Sequence, residues 1–369
     1  MSPLAADPAG ARTEGQRLLD AFIRAGARPV ETATLQPAEV LLDLYGEDIR
    51  ARAYVTQDPL AGEMMLRPDF TVPVVQAHME EGAEPARYAY MGRVYRKQED
   101  PGAARASEYL QVGFELFDGS DRAGADAEVF ALIHDLLAPL GLRAAIGDIG
   151  ILRAAVAGLP TSEARKGALM RHLWRPARFR ALLQRYAGRR PPSPERAALL
   201  ALLARGERPE SPAPHIGLRS PAEIAARLDR LAEDAAAPPL PTGPVDALES
   251  MLEIRAKAPQ ALEKLRESAR AMPWISDAVA GMAARLERLA AGGIDIESLD
   301  FEASYGRTSM EYYDGFVFGL YAEARPDLPP VASGGRYDAL TSVLGQGRSI
   351  PAVGGVIRPA LVAALRGRG

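Results

Sequence analysis

Two side chains that could hold a ligand lie four residues apart in one alternating segment of this 369-residue chain. Residues 108–117 read Glu-Tyr-Leu-Gln-Val-Gly-Phe-Glu-Leu-Phe, which predicts a β-strand because successive side chains point to opposite faces. Gln111 and Glu115 share one face with Gly113 between them, and the other face is apolar. Carboxylate and amide oxygens accept hydrogen bonds from ammonium and ring N–H donors. The glycine leaves room for a ligand across the strand. The alternative interpretation is an ordinary solvated sheet face.

A pair of glycines marks a second place where a ligand could approach the backbone. Gly334 and Gly335 precede Arg336-Tyr337-Asp338. We expect a tight turn before a helix, and a glycine backbone also permits the close approach that ligand sites use. The pair is therefore a candidate part of the same site.

Hydrophobic periodicity predicts the elements that must position these residues. Leucine and other apolar residues recur at helical spacing near the N-terminus, where Gly26 ends the first helix. Two strands flank a polar hairpin loop over 97–107. The predicted elements are a helix at 14–25, strands at 49–56, 88–96 and 108–117, a helix at 126–138, and a last helix whose first turn contains Pro359.

The middle of the chain differs in composition from both ends. It is rich in Ala, Leu and Arg and is broken by Pro-rich clusters, whereas the ends mix helix, strand and turn signals. This pattern predicts an α+β core formed by 1–155 and 295–369, interrupted by a helical insertion at 156–294.

Composition excludes several functional classes. The chain has no cysteine, so disulfides, thiolate metal sites and cysteine nucleophiles are excluded. Its four histidines lack the spacing of metal ligands, so we predict neither a metal nor a cofactor. No signal peptide and no apolar run of membrane-spanning length is recognised, and a cytoplasmic location is expected. The net charge of −4 gives no global field that favours nucleic acid.

A basic segment stands out within the predicted insertion. Residues 160–208 hold 12 Lys and Arg against 3 Asp and Glu. Such a cluster could bind tRNA or an acidic partner surface. A set of solvated helices is the commoner explanation.

Several segments, taken in order, resemble the class II catalytic core of histidyl-tRNA synthetase. The segment around Gly334 and Gly335, described above, resembles the second histidine-specific motif of that family. The resemblance covers roughly 15–150 and 299–366. The matching segments are Glu31-Thr32 with Leu41-Leu42-Asp43, Leu66-Arg67-Pro68-Asp69-Phe70-Thr71, Val94-Tyr95-Arg96, Leu110-Gln111-Val112-Gly113-Phe114-Glu115, Met310-Glu311-Tyr312-Tyr313 and Ser333-Gly334-Gly335-Arg336-Tyr337-Asp338.

The resemblance implies a fold and a set of site residues. The fold is a class II aminoacyl-tRNA synthetase-like antiparallel sheet with flanking helices and a helical insertion. The histidine-binding residues are those at matching positions, whereas no catalytic residue is predicted. Because Tyr312 precedes Tyr313 directly, we expect only one of them to face the pocket. Asp69, Thr71 and Gln111 would hold the amino end of histidine, Glu115 and Tyr313 its imidazole, and Arg96, Gly334 and Gly335 complete the predicted site.

The ATP end of the pattern departs from the family. Where the synthetase pattern reads Gly-Leu-Glu-Arg, this chain reads Arg358-Pro359-Ala360-Leu361. The position of a second family arginine is Thr308. The chain stops at Gly369, and we expect no anticodon-binding domain. These departures predict a pocket that keeps its amino-acid end and loses adenylation.

A synthetase-like core of this kind resembles the regulatory subunits of short-form ATP phosphoribosyltransferases. That resemblance implies a non-catalytic subunit with a separate catalytic partner chain, histidine as effector, and a homodimer through the core within a hetero-oligomer. It implies a role in the first step of histidine biosynthesis and in its feedback inhibition. Two alternatives remain at this point: a truncated amino-acid-activating enzyme, and a tRNA-binding paralogue.

Overall fold

The strands of the chain form one large sheet and one small sheet. The computed structural model describes residues 8–38, 51–98, 106–209, 217–306 and 312–367. Within these ranges the strands are β1 (Arg28–Pro29), β2 (Leu35–Pro37), β3 (Val55–Asp58), β4 (Gly62–Leu66), β5 (Ala86–Tyr95), β6 (Glu108–Phe117), β7 (Arg143–Asp148), β8 (Arg255–Lys257), β9 (Asp300–Glu302), β10 (Phe316–Tyr321), β11 (Ala332–Arg336) and β12 (Ala352–Ile357).

The large sheet has nine strands in the order β1-β5-β6-β12-β11-β10-β7-β9-β8. Its central strands pair antiparallel, and the pairs β1 with β5 and β7 with β9 are parallel. The small sheet has the order β2-β4-β3 and is antiparallel. This is the predicted α+β fold with a mainly antiparallel central sheet.

Helices pack against the large sheet and form most of the middle of the chain. None of those in the described ranges is long and apolar enough to cross a membrane. They are α1 (Pro8–Arg24), α2 (Thr71–Glu81), α3 (Arg122–Leu137), α4 (Ile149–Ala157), α5 (Glu163–Arg171), α6 (Pro176–Tyr186), α7 (Pro194–Ala204), α8 (Pro221–Ala236), α9 (Thr242–Leu252), α10 (Ala258–Ala271), α11 (Ser276–Ala291), α12 (Asp338–Leu344) and α13 (Pro359–Arg366).

Some of the predicted helices and strands coincide with those of the structure, and others do not. The strand at 108–117 coincides with β6, and the helix with Pro359 in its first turn coincides with α13. The strand predicted at 49–56 is wrong over 51–54, because residues 51–52 are helical and β3 begins only at Val55. Alternation of small and polar residues there resembled a strand, but β3 pairs through the residues that follow.

The apolar face of β6 lies against the helical layer, as its pattern predicts. Val112, Phe114 and Leu116 are fully buried in the main hydrophobic cluster. Helices α1, α3 and α13 pack on this face of the strand. The face that carries Gln111 and Glu115 is therefore the opposite one, away from these three helices.

The helical segment in the middle of the chain shares its core with the sheet. Leu183, Leu248 and Leu286 belong to the same buried cluster as Phe114 of β6. The segment also contributes β8, which pairs with β9 at the edge of the large sheet. The helical insertion at 156–294 stays a prediction, and the described buried side chains of this segment belong to the same hydrophobic cluster as the apolar face of β6.

Buried ion pairs join α11 of the helical segment to the sheet. Arg285 donates to Asp148 at 2.5 and 2.9 Å and lies 3.4 Å from Asp126. Asp126 in turn accepts from Arg336 of β11 at 2.9 Å, and Arg336 also donates to Asp338 at 2.9 Å. Each of these charges has an opposite partner, which a buried charge requires.

Much of the basic segment at 160–208 is neutralised internally. At least seven of its twelve cations form ion pairs with acidic side chains inside the described ranges. This supports the interpretation as a set of solvated helices. The seven are Arg165, Lys166, Arg180, Arg189, Arg196, Arg205 and Arg208.

Candidate ligand site

A cluster of buried hydrogen-bond acceptors lies on the face of β6 opposite to α1, α3 and α13. Glu115 and Gln111 are each 1% exposed, and Asp69, just before α2, is 3% exposed. Thr71, the first residue of α2, donates its hydroxyl to Glu115 Oε1 at 3.0 Å. The structure thus brings these four predicted residues together on one side of the sheet.

Glu115 accepts three hydroxyl hydrogen bonds. Besides Thr71, Tyr90 donates to Oε1 at 2.8 Å and Tyr337 donates to Oε2 at 2.5 Å. Burial raises the pKa of Glu115 to about 7, although the three hydroxyls lower it; the negative charge of Asp69 raises it further. Glu115 is therefore poised between its protonated and ionised forms near neutral pH.

Two glycines shape the space around this carboxylate. A Cβ at Gly354 of β12 would lie 1.6 Å from Glu115 Oε2, so only glycine leaves room for the acid. A Cβ at Gly113 would lie 2.2 Å from the ring of Tyr90. The prediction that Gly113 leaves room for a ligand is therefore wrong, because the phenol that donates to Glu115 fills this space.

Gln111 carries a buried acceptor aimed into the same cluster. Its Oε1 accepts no hydrogen bond from the described residues. A buried polar atom of this kind costs free energy when nothing donates to it. A ligand N–H is the simplest group that would satisfy it.

Arg96 lies at the edge of the cluster beside Asp69. Its Nη2 is 4.0 Å from Asp69 Oδ2, and its Nε donates to the carbonyl of Pro68 at 2.7 Å. The guanidinium is mostly buried. Arg96 therefore places positive charge next to the acidic acceptors.

Both adjacent tyrosines contribute to the site, contrary to prediction. Tyr312 and Tyr313 lie in a turn and an irregular segment rather than in a strand, so alternation does not separate them. Tyr312 donates to Thr71 Oγ1 at 3.5 Å, and its ring centroid lies 4.8 Å from that of Tyr313. Burial, reinforced by the charge of Glu115, raises the pKa of Tyr313, which keeps this phenol neutral.

The glycine pair is divided between the two faces of the sheet. Gly334 and Gly335 lie inside β11, so the predicted turn is wrong. A Cβ at Gly335 would meet Tyr313 at 2.8 Å, whereas a Cβ at Gly334 would meet Phe318 and the backbone of Gly354. Gly335 therefore faces the site, and Gly334 serves the close pairing of β11 with β12.

Four site residues were missed at the sequence level: Tyr90, Tyr337, Tyr312 and Gly354. Tyr90 stands opposite Gly113 across the β5 and β6 pair. Its position on a predicted strand was a usable signal, but the register that sets it beside Glu115 comes from pairing between distant segments.

The positions compared with the synthetase pattern are only partly visible. Thr308 and Leu41-Leu42-Asp43 lie outside the described residues, as does most of the loop at 97–107. Leu361 of α13 is buried in the main hydrophobic cluster. An aliphatic side chain there offers no donor to a phosphate.

The chemistry of the cluster favours binding of a small cation with several N–H groups. Asp69, Gln111 and Glu115 provide acceptors in a dry environment, where charge-assisted hydrogen bonds are strong. Tyr90, Tyr337 and Tyr313 are neutral phenols, because burial raises the pKa of each.

Comparison with known proteins agrees with this fold. The sequence pattern of the histidyl-tRNA synthetase family matches residues 6–238 and 225–360. A solved ATP phosphoribosyltransferase regulatory subunit/histidyl-tRNA synthetase from Bacillus halodurans has a TM-score of 0.66 at 24% identity, covering 96% of this chain and 79% of its own. Histidyl-tRNA synthetase from Nostoc sp. has a TM-score of 0.61 at 17% identity, covering 99% and 76%. Fold and site together define a histidyl-tRNA synthetase-like protein of class II.

Curated relatives place the chain in a narrower family. A protein from Agrobacterium fabrum named ATP phosphoribosyltransferase regulatory subunit is 35% identical over 91% of this chain and 92% of its own length. A protein of the same name from Brucella anthropi is 33% identical over 89% and 90%. The chain belongs to the family of ATP phosphoribosyltransferase regulatory subunits.

Proposed function

We propose that this chain binds histidine in the buried acceptor cluster and regulates a separate ATP phosphoribosyltransferase chain without catalysing a reaction itself. The observation that carries the ligand proposal is the set of buried acceptors, above all Gln111 Oε1, which accepts nothing from the described residues. The names of the relatives support the regulatory role. The complex would perform the first step of histidine biosynthesis.

Histidine suits the cluster because it offers N–H donors at both ends. Its ammonium group would donate to Asp69, Thr71 and Gln111. Its imidazole would lie near Glu115 and Tyr313, and Thr71 would lie between the two groups because its hydroxyl also contacts Glu115. A cationic ligand would also relieve the repulsion between the two buried carboxylates, because the charge of Asp69 raises the pKa of Glu115.

Regulation would follow from linkage between ligand and partner. If histidine binds one conformational state of the assembly more tightly than another, it shifts the population toward that state. The coupling is reciprocal, so the catalytic partner must alter histidine affinity by the same factor. A state with low phosphoribosyltransferase activity that binds histidine more tightly would give feedback inhibition.

Loss of the ATP end supports a role without catalysis. Leu361 replaces a family arginine and is buried among apolar side chains. Removing one preorganised donor to a transition-state charge typically lowers a rate by roughly 10²–10³. Thr308, at the position of the other family arginine, also supports a role without catalysis, on the evidence of the sequence alone. We further propose a homodimer through the synthetase-like core and a cytoplasmic location.

Co-expression with a short-form catalytic subunit tests the regulatory part. We expect the two chains to co-purify, phosphoribosyltransferase activity to require this chain, and histidine to lower that activity. Absence of a complex would contradict the proposal. Histidine-dependent exchange of pyrophosphate into ATP by this chain alone would instead favour the amino-acid-activating alternative.

Calorimetric titration with histidine tests the ligand part. The Asp69→Asn substitution keeps the shape and removes the buried charge, so we expect affinity to fall by about 10-fold or more. Asp135→Asn is the matched control, since Asp135 is an exposed aspartate on α3 outside the acceptor cluster. Equal affinity of the two variants for histidine would remove Asp69 from the site.

A further inference from the structure

An arginine that the synthetase pattern does not contain extends the acceptor cluster along β12. The site face of this strand carries Gly354 opposite Glu115 and Val356 opposite Gly113. Arg358 follows the strand with an extended backbone, φ −101° and ψ 97°. The alternation therefore continues, and Arg358 comes next to Gln111 on the same face. In the synthetase pattern this position is a glycine.

Contacts on both sides of Tyr109 confirm this placement. The guanidinium carbon of Arg358 lies 5.3 Å from the centroid of the Tyr109 ring, and its Nη1 donates to the carbonyl of Pro330 at 3.0 Å. Arg96 directly follows β5, its backbone N–H donates to the carbonyl of Ser107 and prolongs the pairing with β6, and its charge acts on Tyr109. Tyr109 therefore lies between two arginines from the two neighbouring strands.

The positive charge of the two arginines lowers the pKa of Tyr109. Burial raises the pKa of Tyr109, yet Arg96 and Arg358 together lower it below its ordinary value. Positive charge from two sides thus outweighs desolvation. An anionic ligand group placed here would be stabilised by the same field.

We propose that Arg96 and Arg358 bind the carboxylate of the amino-acid ligand, so that the site favours ligands with a free carboxylate group. This inference rests on the proposed binding of histidine and names what holds its remaining charged group. Arginine is suited to this role because its planar fork binds a carboxylate through two parallel hydrogen bonds.

The neighbourhood of the arginines favours a carboxylate over a phosphate. Asp69 Oδ2 lies 4.0 Å from Arg96 Nη2, and Gln111 presents its buried acceptor two residues from Tyr109. An amino acid carries an ammonium and a carboxylate on one carbon, and it matches acceptors and cations that lie side by side. A polyanionic phosphate would place its charge against Asp69, which is unfavourable.

Titration with histidine and with histidinol, which lacks the carboxylate, tests this inference. We expect the wild-type chain to bind histidine about 10- to 100-fold more tightly than histidinol, the effect of losing hydrogen bonds to a charged group. Arg358→Gln is expected to weaken histidine by about 10-fold and to leave histidinol unchanged. The ratio of the two affinities should then fall by about 10-fold.

Two further variants separate the role of Arg358 from a general effect on folding or charge. Arg358→Lys keeps the charge without the fork and should give an intermediate ratio. Arg93→Gln makes the same change of charge on β5, but Arg93 stands opposite Leu110, on the other face, and pairs with the exposed Glu108. It should bind both ligands as the wild type does.

Three outcomes would overturn the inference. The first is a wild-type chain that binds histidine and histidinol equally, which leaves the proposed histidine site intact. The second is a loss of both ligands in Arg358→Gln by the same factor. The third is competition by inorganic phosphate or ATP against histidine that Arg358→Gln abolishes, which would make the pair a phosphate site. Absence of binding by both ligands to the wild type would instead contradict the proposed function.

Discussion

Glu115 shows how a single buried carboxylate organises its surroundings. Its two oxygens accept from three hydroxyls that come from α2, β5 and the residue after β11. These bonds fix the positions of Tyr90 and Tyr337, two large and fully buried side chains. A ligand that binds near Glu115 therefore contacts a preorganised set of groups, and this lowers the entropic cost of binding.

The raised pKa of Glu115 predicts a pH dependence of stability. The folded-state pKa of about 7 lies above the ordinary value of 4.5, so the folded protein binds the additional proton. Its contribution is fully present below pH 4.5 and is lost as the pH rises through about 7. The loss is on the order of 3 kcal/mol at most. Denaturant unfolding between pH 4.5 and 8 measures it.

Glu115→Gln isolates this contribution. The amide does not titrate, so the fall in the free energy of unfolding between pH 4.5 and 8 should be smaller by the amount that Glu115 contributes. The readout is the slope with pH, because loss of one oxygen acceptor for Tyr337 lowers stability at every pH. An unchanged slope would show that Glu115 titrates alike in the folded and unfolded chain.

The sequence identified the acceptors of the site better than its donors. Gln111 and Glu115 follow from alternation within one strand, and Asp69 and Thr71 from a resemblance. Tyr337 could not be placed, because its contact with Glu115 joins residues 222 positions apart through the pairing of β6, β12 and β11. Local patterns carry no information on such pairings.

At the scale of elements, β12 brings together the two ends of the candidate site. It pairs with β6 on one side and β11 on the other, so its site face lies between the acceptors and Gly335. Gly354 permits this arrangement, because any side chain there would occupy the place of the Glu115 carboxylate. The strand is thus specified by small residues as much as by apolar ones.

Two glycine-to-alanine substitutions should have opposite effects on stability. At Gly354 the new methyl overlaps Glu115 Oε2 and approaches the backbone of Phe114, so we expect a loss of about 1–3 kcal/mol and weaker histidine binding. Gly281 lies within α11 with nothing within 4 Å of an added Cβ. Alanine there should stabilise by about 0.5–1 kcal/mol. Thermal unfolding and calorimetry test both, and a tolerated Gly354→Ala would contradict the steric argument.

Elements with strong local signals were predicted well, and those that depend on context were not. β6 has strict alternation, and Pro359 marks the start of α13. The residues at 51–52 alternate in a similar way yet are helical, because no partner strand lies beside them among the described residues. The glycine pair was predicted to form a turn, but Gly334 and Gly335 pair with β10 on one side and β12 on the other, and they are therefore strand.

At the scale of the whole molecule, buried ion pairs connect parts that are distant in the chain. Arg285 of the helical segment reaches Asp148 and Asp126, and Arg336 connects Asp126 to Asp338, the residue after Tyr337. These pairs sit inside a shared core, so we expect the sheet and the helical segment to unfold together. Neither composition nor periodicity predicted these partners.

A comparison of two arginines on α11 tests this coupling. Arg285→Met should leave the buried Asp148 without its cationic partner, whereas Asp126 keeps Arg336, and should cost about 3–5 kcal/mol. Arg288→Met removes an exposed pair with Asp121 and should cost at most about 1 kcal/mol. Denaturant unfolding followed by two optical probes would show one shared transition. Equal costs for the two variants would argue against a structural role of the buried pairs.

Both ends of the nine-stranded sheet are made by very short strands. Among the described strands, β1 has two residues and includes Pro29, and β8 has three residues with exposed Arg255 and Lys257. Proline removes a donor, and like charges repel an identical strand. Copies of this chain are therefore discouraged from joining edge to edge. Such protection against aggregation suits a protein whose proposed work depends on assembling with a different chain.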